Sequence, residues 1–249
     1  MSRAVHSSIR DYLRQRAGWV WNEQGHAFRR GLCLQEETLT EMLLLRMAKD
    51  QARHGLRVRM FSKAEEKLNG ADWEWFIRTP SCSLGLRVQA KRLYLRSTKK
   101  DYGGLDPKSG QVNNLISMAG GNHPVYVFFN HAYGVSSASF TSGGEAGYRG
   151  RSFWGCTIAS AHKVKAANSN SLKKLKLVMK PWHHLVQPSG VCGANAILGS
   201  PRSKTQFAAD NPDPQWLQLF QQTDFLQEYL EEHELAGVAY LDFKDFRRE

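Results

Sequence analysis

No apolar run in this 249-residue sequence is long enough to cross a bilayer, and the basic start Met1-Ser2-Arg3-Ala4-Val5-His6 has no apolar segment behind it to act as a secretory signal. A cytoplasmic protein with no membrane attachment is expected. Cysteine is scarce. The four, at positions 33, 82, 156 and 192, lie far apart and form no CxxC pair, which excludes a zinc ribbon or a disulfide framework and leaves reduced core thiols. A GxxxxGK(S/T) phosphate loop is missing, which argues against ATP hydrolysis, and Gly103-Gly104 and Gly143-Gly144 lack the strand-to-helix setting of a nucleotide fingerprint. His183 and His184 are adjacent, so they point apart and cannot form the i, i+4 pair of a zincin helix; a structural or nucleic-acid-facing role is expected. No internal repeat is present. Acidic residues are also in short supply: 23 Asp and Glu stand against 34 Lys and Arg. That excess favours polyanionic partners through long-range attraction and counterion release, although many soluble proteins share it.

The length suits one large domain spanning 1–249. Ser7 to Gly18 reads as a short helix with an Ile9, Tyr12, Leu13 stripe, and Glu36 to Arg53 as a stronger one with Leu39, Met42, Leu43 and Met47 at helical spacing. Strand-like runs follow at Leu56–Phe61, Ala71–Ile77 and Gly85–Leu93, the last two joined by a hairpin connection through Pro80. A helix over Ser109–Ala119 and a strand over Val125–Phe129 complete a core at about 30–130. The remainder, 131–249, reads as an elaboration. It holds a Gly- and Ser-rich excursion from His131 to Arg151, a strand at Phe153–Ile158, a basic stretch Lys163–Lys176 read as a solvated loop, an amphipathic helix Gln215–Glu231 and a last strand Gly237–Leu241.

Side chains alternate faces along a strand, so Asp72 and Glu74 share one face while Trp73 and Trp75 take the other. On the partner strand Gln89 and Lys91 share a face, opposite Val88 and Ala90. Hairpin pairing gathers Asp72, Glu74, Gln89 and Lys91, which supplies oxygen ligands for a hard divalent cation with an ammonium beside them. Such a cation polarises a phosphoryl oxygen and acidifies a bound water, while Lys91 orients that water or stabilises growing negative charge. Glu37 or Glu41, on the preceding helix, is placed to add a ligand. The plain alternative is a solvent face of ordinary ion pairs. Arg92 and Tyr94 flank Lys91, placed either to touch phosphate or to serve as ordinary strand residues.

Gly70-Ala71-Asp72-Trp73-Glu74-Trp75, followed by Arg87-Val88-Gln89-Ala90-Lys91-Arg92, resembles the motif pair of the PD-(D/E)xK nuclease superfamily. More closely it resembles a little-characterised bacterial family with GADWEW and RVQAKR blocks behind an acidic helix, over roughly residues 30–130. The resemblance implies a restriction-endonuclease-like α/β fold, a mixed central sheet flanked by helices. It also implies a catalytic set of Glu37 or Glu41, Asp72, Gln89 and Lys91, with Asp72, Glu74, Gln89 and Glu37 as ligands of Mg2+ or Mn2+. Gln111, opening the next helix, resembles an extra Gln that some members place beside the metal; helix capping is its alternative role. Two departures are visible: no Pro precedes Asp72, and Gln89 stands where an acid is usual, offering a weaker neutral oxygen. The implied activity is divalent-dependent hydrolysis of nucleic acid, DNA ahead of RNA, in restriction or antiphage defence, with a homo-oligomer or a defence-system component as partner. The competing readings are a nuclease-like protein that binds nucleic acid without cutting it and a subunit whose basic surface docks on an acidic protein.

Overall fold

The computed structural model describes residues 9–54, 56–60, 71–79, 82–96, 99–108, 110–133, 154–186, 193, 197–198 and 237–242. Helix α1 spans Ile9–Arg29 and α2 spans Glu36–His54. Strands β1 (Leu56–Met60), β2 (Trp73–Thr79), β3 (Cys82–Arg96) and β4 (Lys99–Tyr102) follow, then α3 (Gly110–Ser117) and β5 (His123–Phe129). Next come β6 (Cys156–Ser160), α4 (Ala161–Ala167), α5 (Leu172–Leu175), β7 (Lys180–Pro181), a 3-10 turn over Trp182–Leu185, and β8 (Gly237–Asp242).

The strands form one mixed sheet in the order β1-β8-β2-β3-β5-β6-β7, with β4 paired to the outer end of β3. β2 with β8 and β3 with β5 run parallel; the other pairs are antiparallel. Helices cover the sheet, so the protein has an α/β fold with a mixed central sheet. Its closure needs strands from beyond residue 130, because β8 lies between β1 and β2. β2 and β3 pair as a hairpin, with Trp73 opposite Val88 and Glu74 opposite Arg87.

Strand alternation sorts the side chains into two cores. Trp73, Trp75, Ile77, Leu86, Val88, Ala90, Val125, Val127 and Ile158 join Tyr12 and Leu13 of α1 and Leu39, Leu43 and Met47 of α2 on one face. Leu93, Tyr126, Phe128 and Ala159 meet Val112, Leu115, Val164 and Leu175 of α3, α4 and α5 on the other. Val88 and Ala90 are fully buried, so the predicted register holds. The Trp182 ring packs 5.1 Å from Trp75 and its indole N–H donates to the Leu13 carbonyl at 2.7 Å, which ties the 3-10 turn to α1.

Several expectations are corrected. α1 continues past Gly18 to Arg29, because Val20, Trp21, Gln24 and Ala27 extend its buried stripe. In α2 the buried stripe is Leu39, Leu43, Leu44 and Met47, while Met42 is exposed. The stretch Lys163–Lys176 is not a loop: α4 and α5 occupy it, with Val164, Leu172 and Leu175 buried between exposed lysines. The Gln215–Glu231 helix and residues 134–151 of the Gly- and Ser-rich excursion lie outside the described residues.

Candidate active site

β3 is longer than β2, and the site forms where the two part. The Asp72 amide still donates to the Val88 carbonyl at 2.7 Å, and past this bond two carboxylates accept from the next edge amides of β3. Asp72 accepts from the Ala90 amide at 2.6 Å, and Glu36, in the first turn of α2, accepts from the Arg92 amide at 2.9 Å. Amides two residues apart point to the same edge, so this edge is closed by side chains in place of a strand.

Both carboxylates also bind the polar side chains of β3. The Gln89 amide nitrogen donates to Asp72 Oδ1 and Oδ2, each at 2.8 Å, and approaches the Ala90 carbonyl at 3.3 Å. Gln111 of α3 donates to Gln89 Oε1 at 3.2 Å. The Lys91 ammonium donates to Glu36 Oε1 at 3.0 Å in a pair that is largely buried. Burial raises the Glu36 carboxyl above the ordinary carboxylate range; Lys91 and the Arg92 amide oppose that shift, and the neighbouring Glu37 adds to it.

Asp72, Gln89 and Gln111 thus form one hydrogen-bonded chain, and Lys91, two residues along β3 from Gln89, is held by Glu36. The helix acid differs: Glu36 meets Lys91, while Glu37 and Glu41 are exposed. Helix phase is the reason, since Glu36 lies three residues before buried Leu39, whereas 37 and 41 fall on the solvent side with exposed Leu45. Glu74 is placed on the Asp72 face, but its carboxylate is taken up elsewhere. It lies 3.5 Å from the guanidinium of Arg87, its register partner, and accepts from Asn122 at 2.9 Å. Arg87 also donates to the Met118 carbonyl at 2.9 Å, so the pair clamps β2 and β3 to the segment after α3. The expected ligand set of Asp72, Glu74, Gln89 and Glu37 is therefore not assembled.

Tyr126 was missed. It is the parallel register partner of Gln89 on β5, and its hydroxyl is buried with no hydrogen-bond partner among the described residues. Burial raises this phenol, and the charges of Asp72 and Glu36 raise it further, which places it near both carboxylates. A tyrosine in an otherwise apolar strand was the available signal, because a buried phenol usually finds a partner. His183 and His184 are buried under α1, far from any zincin geometry, and burial brings the His183 imidazole down to about 2, with His184, Arg10 and Arg14 contributing.

The donor set fits a hard cation. Among the described residues no three His, Cys, Asp or Glu side chains cluster to hold a metal; the oxygens here are the Asp72 and Glu36 carboxylates, the Ala90 carbonyl and the Gln89 amide. The Gln89 nitrogen sits against three of these oxygens, the position that a cation would favour. Amide ends are assigned by their hydrogen bonds, and turning both amides over conserves the Gln89–Gln111 bond while presenting the Gln89 oxygen beside Asp72.

A recess of about 610 Å3 lies off the outer end of β3, between β4 and α5, lined by Lys99, Lys100, Lys173 and Lys176 against one acid, Asp101. Among the described residues no helix is long and apolar enough to cross a membrane. No curated protein and no solved structure matches the chain. The model of a family of unknown function, DUF6615, matches residues 9–247, and the chain belongs to that family.

Proposed function

We propose that this protein is a Mg2+- or Mn2+-dependent nuclease that hydrolyses phosphodiester bonds, acting on DNA ahead of RNA. The observation that supports it is the meeting of Asp72, Gln89, Lys91 and Glu36 at the point where β2 leaves β3. Asp72, the Ala90 carbonyl and the Gln89 amide oxygen would hold the cation. A cation there supplies Lewis-acid polarisation of the phosphoryl group and a water of lowered pKa. Glu36 keeps the Lys91 ammonium in place, where it stabilises negative charge growing on the phosphoryl oxygens. Gln111 fixes the orientation of Gln89. The lysine-lined recess offers a surface to the polyanion away from the chemistry.

A second reading has its own observation. Asp72 and Glu36 both cap edge amides of β3, so both have a structural task that would keep them in a nuclease-like protein that binds without cutting.

The test is divalent-dependent cleavage of plasmid, single-stranded DNA and RNA, run beside filter binding, for the wild type, Lys91→Ala and Asp72→Ala. Lys91→Ala should lose cleavage by about 100-fold or more and keep nucleic-acid binding, since its contribution falls mainly in the transition state. Asp72→Ala should lose cleavage and metal affinity together. Equal cleavage by wild type and Lys91→Ala would refute the assigned site, and binding without cleavage across all metals and substrates would favour the second reading.

A further inference from the structure

Arg92, next to Lys91 on β3, sends its side chain to the opposite face of the sheet. There it lines a cavity of about 120 Å3 with Gln24, Phe28, Leu34, Tyr94 and His131. The residue is only 7% exposed, and its guanidinium lies over the Tyr94 ring, 3.9 Å from the centroid. Arg92 Nε and Nη2 have no hydrogen-bond partner among the described residues. These nitrogens share one edge of the guanidinium, the edge whose parallel N–H bonds grip a phosphate or carboxylate in two hydrogen bonds.

A buried guanidinium with its gripping edge empty is costly unless something anionic completes it. Nothing in the cavity does so: among the described residues no carboxylate lines it. Glu36, which reaches the Arg92 backbone, is committed to that amide and to the Lys91 ammonium. His131 adds a second orphan, Nδ1, and is 4% exposed. Burial, helped by Arg92, brings the His131 imidazole down to about 4, so it stays neutral at pH 7 and adds no competing charge.

Size and rim narrow the ligand. The cavity falls well short of the roughly 300 Å3 at which pockets for whole small molecules begin, so it admits a small anionic group or the end of a larger molecule. At its mouth Phe28 is 45% exposed and stacks on the equally exposed Tyr133 with ring centroids 5.1 Å apart. An exposed aromatic face beside an anion hole suits a base attached to a phosphate.

We propose that the Arg92 cavity is a phosphate-binding site for a nucleotide, free or at a strand end, whose phosphate seats on the Nε/Nη2 edge while its base stacks on Phe28 and Tyr133. The site is separate from the proposed cleavage centre, on the other face of the sheet, and it does not depend on that reading.

The test is thermal stability and calorimetric binding in EDTA, so that no cation at Asp72 recruits the phosphate. The probes are inorganic phosphate, acetate, a nucleoside 5′-monophosphate, and a short DNA oligonucleotide with and without a 5′-phosphate. Millimolar phosphate should raise the wild-type melting temperature by a few degrees, the mononucleotide should do so at lower concentration, and acetate should do neither. Arg92→Met keeps the stem over Tyr94 and removes the unpaired charge. It should melt no lower than the wild type without ligand and should bind phosphate at least tenfold more weakly. Phe28→Ala should weaken the mononucleotide more than it weakens inorganic phosphate. A phosphorylated oligonucleotide that binds tenfold tighter than the mononucleotide identifies a strand end as the ligand; equal affinity identifies a free nucleotide. An Arg92→Met protein that responds like the wild type overturns the proposal. So does a response to acetate equal to that to phosphate, which would make the site a carboxylate site.

Discussion

A carboxylate held at two points, by Lys91 and by the Arg92 amide, separates position from charge when it is made an amide. Glu36→Gln can still accept from the amide but leaves the Lys91 ammonium without its counter-charge. Cleavage should fall by about 100-fold while the melting temperature drops by only a few degrees. Glu37→Gln and Glu41→Gln, on the exposed side of α2, should cleave like the wild type. Loss of activity in either, with Glu36→Gln active, would mean that the helix acid is misassigned. At this scale the sequence carried the strand residues well, because a period of two leaves Gln89 and Lys91 no other face once Val88 and Ala90 are buried. It carried the helix acid less well: three glutamates within six residues differ only in phase, and Glu36 alone falls on the side of buried Leu39 and Leu43. Glu74 was readable as a face and not as a partner. Its diversion needs the register that sets it opposite Arg87 and the fold that brings Asn122 over both.

Among the elements, α1 approaches the sheet closely at one glycine. A Cβ built on Gly155, just before β6, would fall on the Ala17 carbonyl oxygen of α1, and a backbone atom cannot swing aside as a side chain can. Gly155→Ala should therefore cost about 1–3 kcal/mol by forcing helix and strand apart. Gly110→Ala, where an added Cβ meets nothing within 4 Å, is the matched control and should be neutral or slightly stabilising. Equal melting temperatures for the two variants would show that α1 is not seated on Gly155. The extent of α1 illustrates what local reading misses. Gly18 resembles a helix stop, yet the helix runs through it because Val20, Trp21 and Gln24 gain burial against the sheet. β4 and the helices α4 and α5 were illegible for a related reason: each is short and takes its order from partners distant in sequence, such as the Asp101–Ser171 bridge.

For the molecule as a whole, a formal charge of +11 acts through where it is displayed. Changing Lys99, Lys100, Lys173 and Lys176 to Gln removes the basic lining of the recess beside β4. Nucleic-acid affinity should then fall, and the slope of log affinity against log salt for duplex DNA should flatten by as much as roughly 3 to 4. Turnover at saturating DNA should be retained, because these lysines lie away from Asp72 and Lys91. An unchanged slope would place the binding surface elsewhere. The strand order carries a further consequence, in time. β8 fills the gap between β1 and β2, yet residues 80–236 must be synthesised after β2 before β8 exists. At ordinary elongation rates that takes about 8 to 30 s. Throughout that interval the growing chain leaves one edge of β2 bare, the strand that leads out of Asp72, and leaves β1 with no neighbour in the sheet. The corner that joins Asp72 to Gln89 is therefore assembled after translation of its own motifs is long over, and a ribosome-bound or prematurely terminated chain carries the motif residues without the finished sheet that aligns them.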